Sequence, residues 1–217
     1  MKNAVCYLFL VFFLSACTTQ MPQTELRGTG DLGVIIERAA GSVLIVENSN
    51  NQVLARVEGL GDLSHASVVF SRDARFAYVF GRAGGLTKID LLKQRIDKRI
   101  IQAGNSIGGA ISQDGRLIAV GNYEPGGVRV FTADTLELVA DIPATKLHNG
   151  KNARVVGMAD APEQKFMVSL FDTGEIWILD FSDSSADTPT VTRFTGIGKQ
   201  PYDAMLTPAG RPHPAGL

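Results

Sequence analysis

Cysteine is almost absent from this chain, since its two copies, Cys6 and Cys17, both lie within the first 17 of 217 residues. The residues that follow form no disulfide with one another, so the fold must rely on its hydrophobic core. The sequence pattern also lacks a nucleophile beside a base, a metal-ligating cluster and a phosphate-binding loop. These absences favour binding over catalysis, although a bound cofactor can itself carry out a redox step.

An excess of positive charge is missing as well. Without Lys2, which precedes the domain, the chain has 20 basic and 22 acidic residues, a net charge of −2. This balance argues against nucleic acid as a partner. A hydrophobic content of 45% with 20% charged residues is typical of a globular protein, and no later apolar run is long enough to span a bilayer.

The N-terminus predicts a secretory signal. Lys2 precedes an unbroken apolar run over residues 4–14, which is too short to cross a bilayer. The following Leu14-Ser15-Ala16-Cys17 resembles a bacterial lipobox, in which Cys17 is acylated and becomes the first mature residue. The alternative is an ordinary signal peptide with a chance cysteine. Thr18 comes next, and a non-acidic residue there implies sorting to the outer membrane.

These features define the expected domain organisation. We expect a lipoprotein signal peptide over 1–16, a lipidated tether over 17–32 and a globular domain over 33–217. The tether is rich in Thr, Gln, Pro and Gly. The predicted location is the periplasm, with the chain lipid-anchored to the outer membrane.

A sequence repeat dominates the domain. Ser71-Arg72-Asp73-Ala74-Arg75-Phe76 recurs as Ser112-Gln113-Asp114-Gly115-Arg116-Leu117 and as Ala161-Pro162-Glu163-Gln164-Lys165-Phe166, and a fourth copy starts at Thr207. Taking the basic residue as marker, the copies are 41, 49 and 46 residues apart. This spacing is typical of β-propeller blades.

Each copy contains period-two alternation and a β-turn, and no segment of useful length has the 3.6-residue period of a helix. The N-terminal segments 34–37, 41–46 and 52–57 predict strands of an earlier blade. We therefore predict an all-β chain, a β-propeller of four-stranded blades with Arg75, Arg116 and Lys165 at equivalent turns.

The C-terminal copy departs from the repeat. Pro212 and Pro214 stand where the other copies have strand, and proline cannot donate to a β-ladder. Closed propellers need more blades than this chain supplies, so we expect an incomplete, open arc of about three to four blades with its C-terminal half missing.

Residues 33–210 resemble the d1-haem propeller of cytochrome cd1 nitrite reductase and, more closely, the NirF family of d1-haem biosynthesis propellers. The resemblance rests on the stretch from Leu63 to Ser71, on residues 75–91, on Ala119 to Pro125 and on Asp172 to Asp180. It implies a propeller of about eight blades when complete. It also implies d1 haem or its late precursor as ligand.

The resemblance assigns two residues to the haem. His65, in His65-Ala66-Ser67, matches the proximal axial ligand of the reductase, and Arg82 matches an arginine that contacts the porphyrinoid carboxylates. Imidazole nitrogen suits haem iron, and a guanidinium matches carboxylate geometry. A second haem-contacting arginine of the reductase is replaced by Gly108. Without the resemblance, His65 reads as a hydrogen-bonded histidine where a blade begins, and Arg82 as a solvated arginine.

Four further residues are weaker candidates for haem contact. His148 lies in the loop Lys146-Leu147-His148-Asn149-Gly150-Lys151, where an exposed loop residue is the alternative. Tyr123 and Arg154 are expected at the tops of blades, as is Glu124. His213 is given no role.

One motif misleads. Gly28-Thr29-Gly30-Asp31-Leu32-Gly33 satisfies the dinucleotide-binding pattern, but that pattern needs a strand before it and a helix after it. Here a tether precedes and a β-branched strand follows, which argues against NAD as a cofactor.

Three functions therefore remain open. The first is a carrier or assembly protein that binds d1 haem or its precursor and works with nitrite reductase and other d1-haem maturation proteins. The second is an enzyme of a late d1-haem step, such as dehydrogenation or side-chain modification. The third is a propeller that binds only proteins.

Overall fold

The alternation of apolar residues becomes β-structure along the chain. The computed structural model describes residues 28–183, 188–206 and, for the backbone alone, 212–215. These residues form 17 strands and one 3-10 turn, Thr29–Asp31, and they contain no α-helix. The all-β prediction is confirmed. Consistent with this, no helix in the described part of the chain is long and apolar enough to cross a membrane.

The strands pair in antiparallel fashion with their neighbours in sequence and form five sheets, called blades 1 to 5 below. Blade 1 contains β1 (Leu32–Glu37), β2 (Ser42–Glu47) and β3 (Gln52–Val57). Blade 2 contains β4 (Ser67–Phe70), β5 (Phe76–Phe80), β6 (Gly85–Asp90) and β7 (Arg95–Ile101). Blade 3 contains β8 (Asn105–Ile111), β9 (Leu117–Glu124), β10 (Gly127–Thr132) and β11 (Leu138–Pro143).

Blade 4 contains β12 (Val155–Ala161), β13 (Lys165–Leu170), β14 (Glu175–Asp180) and β15 (Thr190–Phe194). Blade 5 contains β16 (Asp203–Leu206) and β17 (Pro212–Ala215). Pro212–Ala215 forms a strand, although we expected its prolines to disfavour β-pairing. It pairs only with β16 in the described residues, and an edge strand tolerates proline because one side of its backbone needs no partner.

The first strands of blades 2 to 5, namely β4, β8, β12 and β16, lie next to one another, as the inner strands of a propeller do. Small residues permit this close approach. A Cβ added at Gly157 in β12 would come within 2.8 Å of the Tyr202 carbonyl oxygen, so only glycine fits there without a backbone shift. The predicted radial arrangement of blades is confirmed.

The hydrophobic core lies between blades rather than at one centre. Blades 3 and 4 share the largest cluster, which includes the fully buried Phe166, Trp177 and Leu179 of blade 4 and Val130 of blade 3. Separate clusters join blades 1 and 2, blades 2 and 3, and blades 4 and 5. Each blade is therefore stabilised mainly by its neighbours.

The repeated turns have a common hydrogen-bond pattern. Asp73 accepts hydrogen bonds from the Ser71 hydroxyl and the Arg75 N–H, and Asp114 does the same with Ser112 and Arg116. Arg75 and Arg116 thus occupy equivalent positions, as predicted.

The third turn departs from this pattern. Three residues separate β12 from β13, against five between β4 and β5, so Lys165 is the first residue of β13 and pairs with Asp180, as Phe76 pairs with Asp90 in blade 2. Lys165 still makes an ion pair with Asp180 at 3.3 Å, as Arg75 does with Asp90 at 3.0 Å.

Candidate functional site

One end of the blades brings the predicted site residues together. Because the strands alternate in direction, the turns between second and third strands meet the loops that join one blade to the next at the same end. Arg82 and Tyr123 lie at turns of the first kind, and His65 and Arg154 lie in connections of the second kind. We call this end the loop end.

Arg82 is fixed through its backbone. Its N–H donates to the Asp62 carbonyl oxygen at 2.8 Å, and its own carbonyl accepts from the Ser106 N–H at 3.1 Å. Its guanidinium carbon lies 5.6 Å from the centre of the Tyr123 ring, a cation–π contact. Within the described residues its side chain makes no hydrogen bond or ion pair, so its five N–H donors remain available to a ligand.

Arg154 stacks on the same tyrosine but is already paired. Its guanidinium carbon lies 5.7 Å from the Tyr123 ring centre and 4.8 Å from that of Phe171. Its Nη2 donates to Asp172 Oδ1 at 2.6 Å and its Nε donates to Oδ2 at 3.0 Å. This fork lowers the pKa of Asp172 and raises that of Arg154, mainly through their shared hydrogen bonds. The charge of Arg154 is therefore largely neutralised.

Tyr123 contacts both guanidinium groups with its ring and is half-buried at the end of β9. Burial raises the pKa of its phenol, the neighbouring Tyr202 adds to the rise, and Arg154 and Arg82 oppose it. Tyr202 packs edge-on against Phe171 with ring centres 6.1 Å apart. The aromatic rings thus set the spacing of the two arginines.

His65 is exposed in the turn that leads into β4. That turn is held by Asp62, whose carboxylate accepts the Ser64 N–H at 2.9 Å, and by Arg38, which donates to the Ser64 carbonyl at 3.2 Å. The hydrogen bonds from Ser64 lower the pKa of Asp62, and the nearby charges of Arg82 and His65 lower it further. His65 and Arg82 therefore share a neighbour, and the described residues give no hydrogen bond to the His65 imidazole.

A cavity of about 850 Å³ lies next to Tyr123 and is lined in part by the loop that joins blades 3 and 4. Tyr123, Arg154 and Asp172 line it, together with Lys146 and Lys151 of that loop. The structure does not bring His148 to the cavity wall, since this residue is exposed at the loop tip. Glu124, exposed at the end of β9, does line the cavity.

Two other sequence predictions concern single positions. Gly108 lies in β8, and a Cβ there would come within 2.9 Å of the Ser67 hydroxyl, so an arginine fits only if Ser67 moves. Cys17 and the predicted signal and tether lie outside the described residues except for 28–32. The glycine motif at 28–33 leads into β1, not into a helix, as the sequence indicates.

Sequence reasoning missed several residues of this end. Asp172, Phe171 and Tyr202 support the arginine stack, and Lys146 and Lys151 line the cavity. The lysines flank His148 in sequence, so their charge was the available signal. No signal identifies Asp172, because an aspartate before Thr-Gly reads as a turn residue. In the described part of the chain, no group of three or more His, Cys, Asp or Glu side chains is arranged to hold a metal ion.

Comparison with known proteins gives one family match. Residues 27–217 match the family model described as "Cytochrome D1 heme domain". The chain is 67% identical over 210 residues to "Protein NirF" of Stutzerimonas stutzeri and 68% identical over 209 residues to that of Pseudomonas aeruginosa. Both alignments cover 96% of this chain but only 53% and 52% of the relatives, so the chain spans about half their length.

More distant similarities point the same way. The chain is 32% identical over 160 residues to "Dihydro-heme d1 dehydrogenase" of Pseudomonas aeruginosa, covering 73% of this chain and 32% of that protein. The solved structure "Dihydro-heme d1 dehydrogenase NirN in complex with DHE" has a TM-score of 0.76 at 28% identity, covering 88% of this chain and 40% of the other.

A β-propeller domain of Myceliophteria thermophila Cps50 (Swd1) has a TM-score of 0.66 at 13% identity, covering 86% of this chain and 59% of that domain. This likeness shows the fold alone.

Proposed function

This chain belongs to the cytochrome d1 heme domain family, and from that membership we propose that it binds d1 haem or a late precursor of d1 haem. The NirF relatives favour a role in d1-haem biosynthesis or assembly. Because the chain spans about half of those relatives, the activity of the whole protein is part of this proposal.

The observation that carries the proposal is the difference between the two stacked arginines. Arg154 is neutralised by Asp172, whereas Arg82 holds the same ring with its donors free. A guanidinium that is positioned but not paired suits a carboxylate ligand. Tetrapyrroles carry such carboxylates at their edge.

The exposed imidazole of His65 supplies the second requirement. It lies at the same end as Arg82, since Asp62 accepts the Arg82 N–H with its carbonyl and the Ser64 N–H with its carboxylate. An imidazole nitrogen is a common ligand of haem iron. The residues present therefore fit a haem group: His65 would bind the iron and Arg82 would bind a carboxylate. The bound macrocycle would supply the redox-active iron, and Tyr123 would keep the Arg82 guanidinium in place.

Location and partners belong to the same proposal. Acylation of Cys17 would anchor the domain to the outer membrane, facing the periplasm. Nitrite reductase and other d1-haem maturation proteins would then be its partners, as acceptors or donors of the macrocycle. The family membership and the sequence of the first 20 residues support this arrangement.

Equilibrium titration of the chain with d1 haem, followed by visible absorption, tests the proposed binding. We expect saturable binding at one macrocycle per chain, with weaker binding of haem b. Spectral changes that rise linearly without saturation, and are equal for both macrocycles, would show that the chain only adsorbs haem.

A second candidate function is an enzyme of a late step. The specific observation in its favour is the similarity to dihydro-heme d1 dehydrogenase, in sequence and in fold. Such a step removes two hydrogen atoms from the tetrapyrrole, with two protons passing to solvent and two electrons passing to an acceptor such as two molecules of an oxidised c-type cytochrome.

Product analysis separates the two functions. The chain is incubated with dihydro-d1 haem and an oxidised c-type cytochrome, and the pigment is then extracted and weighed by mass spectrometry. A carrier returns the pigment with unchanged mass. A loss of two mass units, with reduction of the cytochrome, identifies the enzyme. If the chain binds neither pigment, only the third function, binding of proteins alone, remains.

A further inference from the structure

The cavity beneath the loop between blades 3 and 4 has a rigid positive wall. The loop closes on itself, since the Leu147 N–H donates to the Lys151 carbonyl and the Ala153 N–H to the Thr145 carbonyl, each at 2.8 Å. Lys146 pairs with Asn152 in an isolated bridge. These bonds place Lys146 and Lys151 on opposite arms of one hairpin that lines the cavity.

The two lysines are the uncompensated charges of that wall. Both are exposed, and neither makes an ion pair with another residue that the structure describes. Arg154 and Asp172 neutralise each other at 2.6 Å, which leaves Glu124 as the acid of the lining. The cavity wall therefore has a net positive charge and favours an anion.

Asn105 gives an independent sign of a ligand. It is the first residue of β8 and lines the same cavity, and its side-chain oxygen is buried without a hydrogen-bond partner among the described residues. A buried polar atom without a partner calls for a water or a ligand. Rotation of this amide would present its N–H groups to an acceptor instead.

We propose that this cavity is a second subsite for a carboxylate side chain of the tetrapyrrole, with Lys146 and Lys151 as the cations that hold it. The inference rests on the proposed function and adds a specificity site that is separate from Arg82. The volume of about 850 Å³ lies within the range of small-molecule pockets, and Tyr123 both lines this cavity and contacts Arg82. Two carboxylate contacts at different places on the macrocycle would fix its orientation.

The test compares charge changes of opposite sign. Titrations with d1 haem and with its fully methyl-esterified form use the wild-type chain, the double variant Lys146→Gln/Lys151→Gln and the variant Glu124→Gln. The control is Lys93→Gln/Arg95→Gln, an equal loss of positive charge between β6 and β7, at the opposite end from the loop end. Circular dichroism checks that each variant is folded.

We expect the double lysine variant to bind d1 haem about tenfold or more weakly, and Glu124→Gln to bind it a few-fold more tightly. The preference for the free acid over the ester should shrink in the lysine variant and persist in the control. Wild-type binding with no effect of these three residues would overturn the subsite and leave the proposed function intact. Absence of d1-haem binding by the wild-type chain would overturn both.

Discussion

At the scale of single residues, two arginines in one stack differ in what they can still bind. Both approach the Tyr123 ring to less than 6 Å, yet Arg154 gives its hydrogen bonds to Asp172 and Arg82 keeps its own. A paired guanidinium offers a ligand little net charge, whereas a free one offers both charge and a planar set of donors. The local pairing, more than the residue type, is therefore our reason for proposing Arg82 as the carboxylate contact.

The buried hydroxyl of Tyr78 leads to a prediction about how stability depends on pH. This hydroxyl donates to the Ala133 carbonyl at 2.9 Å, and burial raises the pKa of the phenol to about 12 from 10.0. The folded state thus holds this proton more tightly than the unfolded state does. The resulting stability is complete below pH 10, falls between pH 10 and pH 12, and amounts to roughly 2 to 3 kcal/mol.

The variant Tyr78→Phe removes this titration. Urea unfolding at pH 9 and at pH 11.5 should show a smaller loss of stability in the variant than in the wild type, although the variant is less stable at pH 9 by about 1 kcal/mol. Tyr202→Phe, which removes an exposed phenol, is the control. Equal losses in wild type and Tyr78→Phe would contradict the account.

The residues of the site were only partly predictable. The resemblance predicts His65 and Arg82 as haem contacts, and the structure places both at the loop end. Asp172 does not follow from sequence, because its role depends on a contact with Arg154, 18 residues earlier in the chain. Lys146 and Lys151 read as solvated loop charges until the hairpin places them on one cavity wall.

At the scale of elements, the turns after the inner strands of blades 2 and 3 each depend on one aspartate, Asp73 or Asp114. Asp114 accepts a hydrogen bond from the Ser112 hydroxyl at 2.6 Å and another from the Arg116 N–H at 3.0 Å. In the shorter third turn, Glu163 only makes an exposed ion pair with Lys165. The same kind of truncation should therefore have different costs in the two turns.

We expect Asp114→Ala to lower the free energy of unfolding by about 1 to 2 kcal/mol, since it removes the hydrogen bonds from the Ser112 hydroxyl, the Arg116 N–H and the Arg116 Nε. Glu163→Ala should cost no more than about 0.5 kcal/mol. Thermal or urea unfolding of both variants gives the comparison. A Glu163→Ala cost equal to that of Asp114→Ala would show that the hydrogen-bonded turn does not stabilise the blade.

The strands differed in how well sequence predicted them. Sequence predicts most clearly the strands whose buried apolar residues pack against neighbouring blades, namely β5, β9 and β14. β7 has the sequence Arg-Ile-Asp-Lys-Arg-Ile-Ile and a largely exposed outer face, so its alternation is hidden by charge. The one-residue shift at Lys165 was also invisible, because a shorter turn and a basic first strand residue give the same sequence pattern.

At the scale of the whole molecule, the blade cores and the loop end have separate tasks. Large apolar side chains fill the spaces between blades, while the polar and charged residues of the site lie on turns and connections at one end. A rigid set of blades can thus position loop residues from different blades around one ligand. The chain spans about half the length of its curated relatives.

The membrane anchor is a whole-molecule prediction that rests on Cys17. The variant Cys17→Ser should incorporate no fatty acid and should retain its signal peptide, because the sulfur is the acylation site. Metabolic labelling with an alkyne fatty acid and intact-protein mass spectrometry measure both effects. Cys6→Ser, which changes the other cysteine of the chain, should be lipidated as the wild type is. Fatty-acid labelling of Cys17→Ser would show that Cys17 is not the acylation site.

The most direct test of the account is a set of parallel d1-haem titrations of the wild-type chain, His65→Ala and Arg82→Ala, followed by visible absorption. Loss of an axial ligand should change the spectrum of haem bound to His65→Ala, whereas Arg82→Ala should bind about tenfold more weakly with an unchanged spectrum. His213→Ala and Arg129→Ala, whose arginine is paired with Asp141 in blade 3, serve as controls. An unaltered spectrum in His65→Ala together with unaltered affinity in Arg82→Ala would contradict the proposed site.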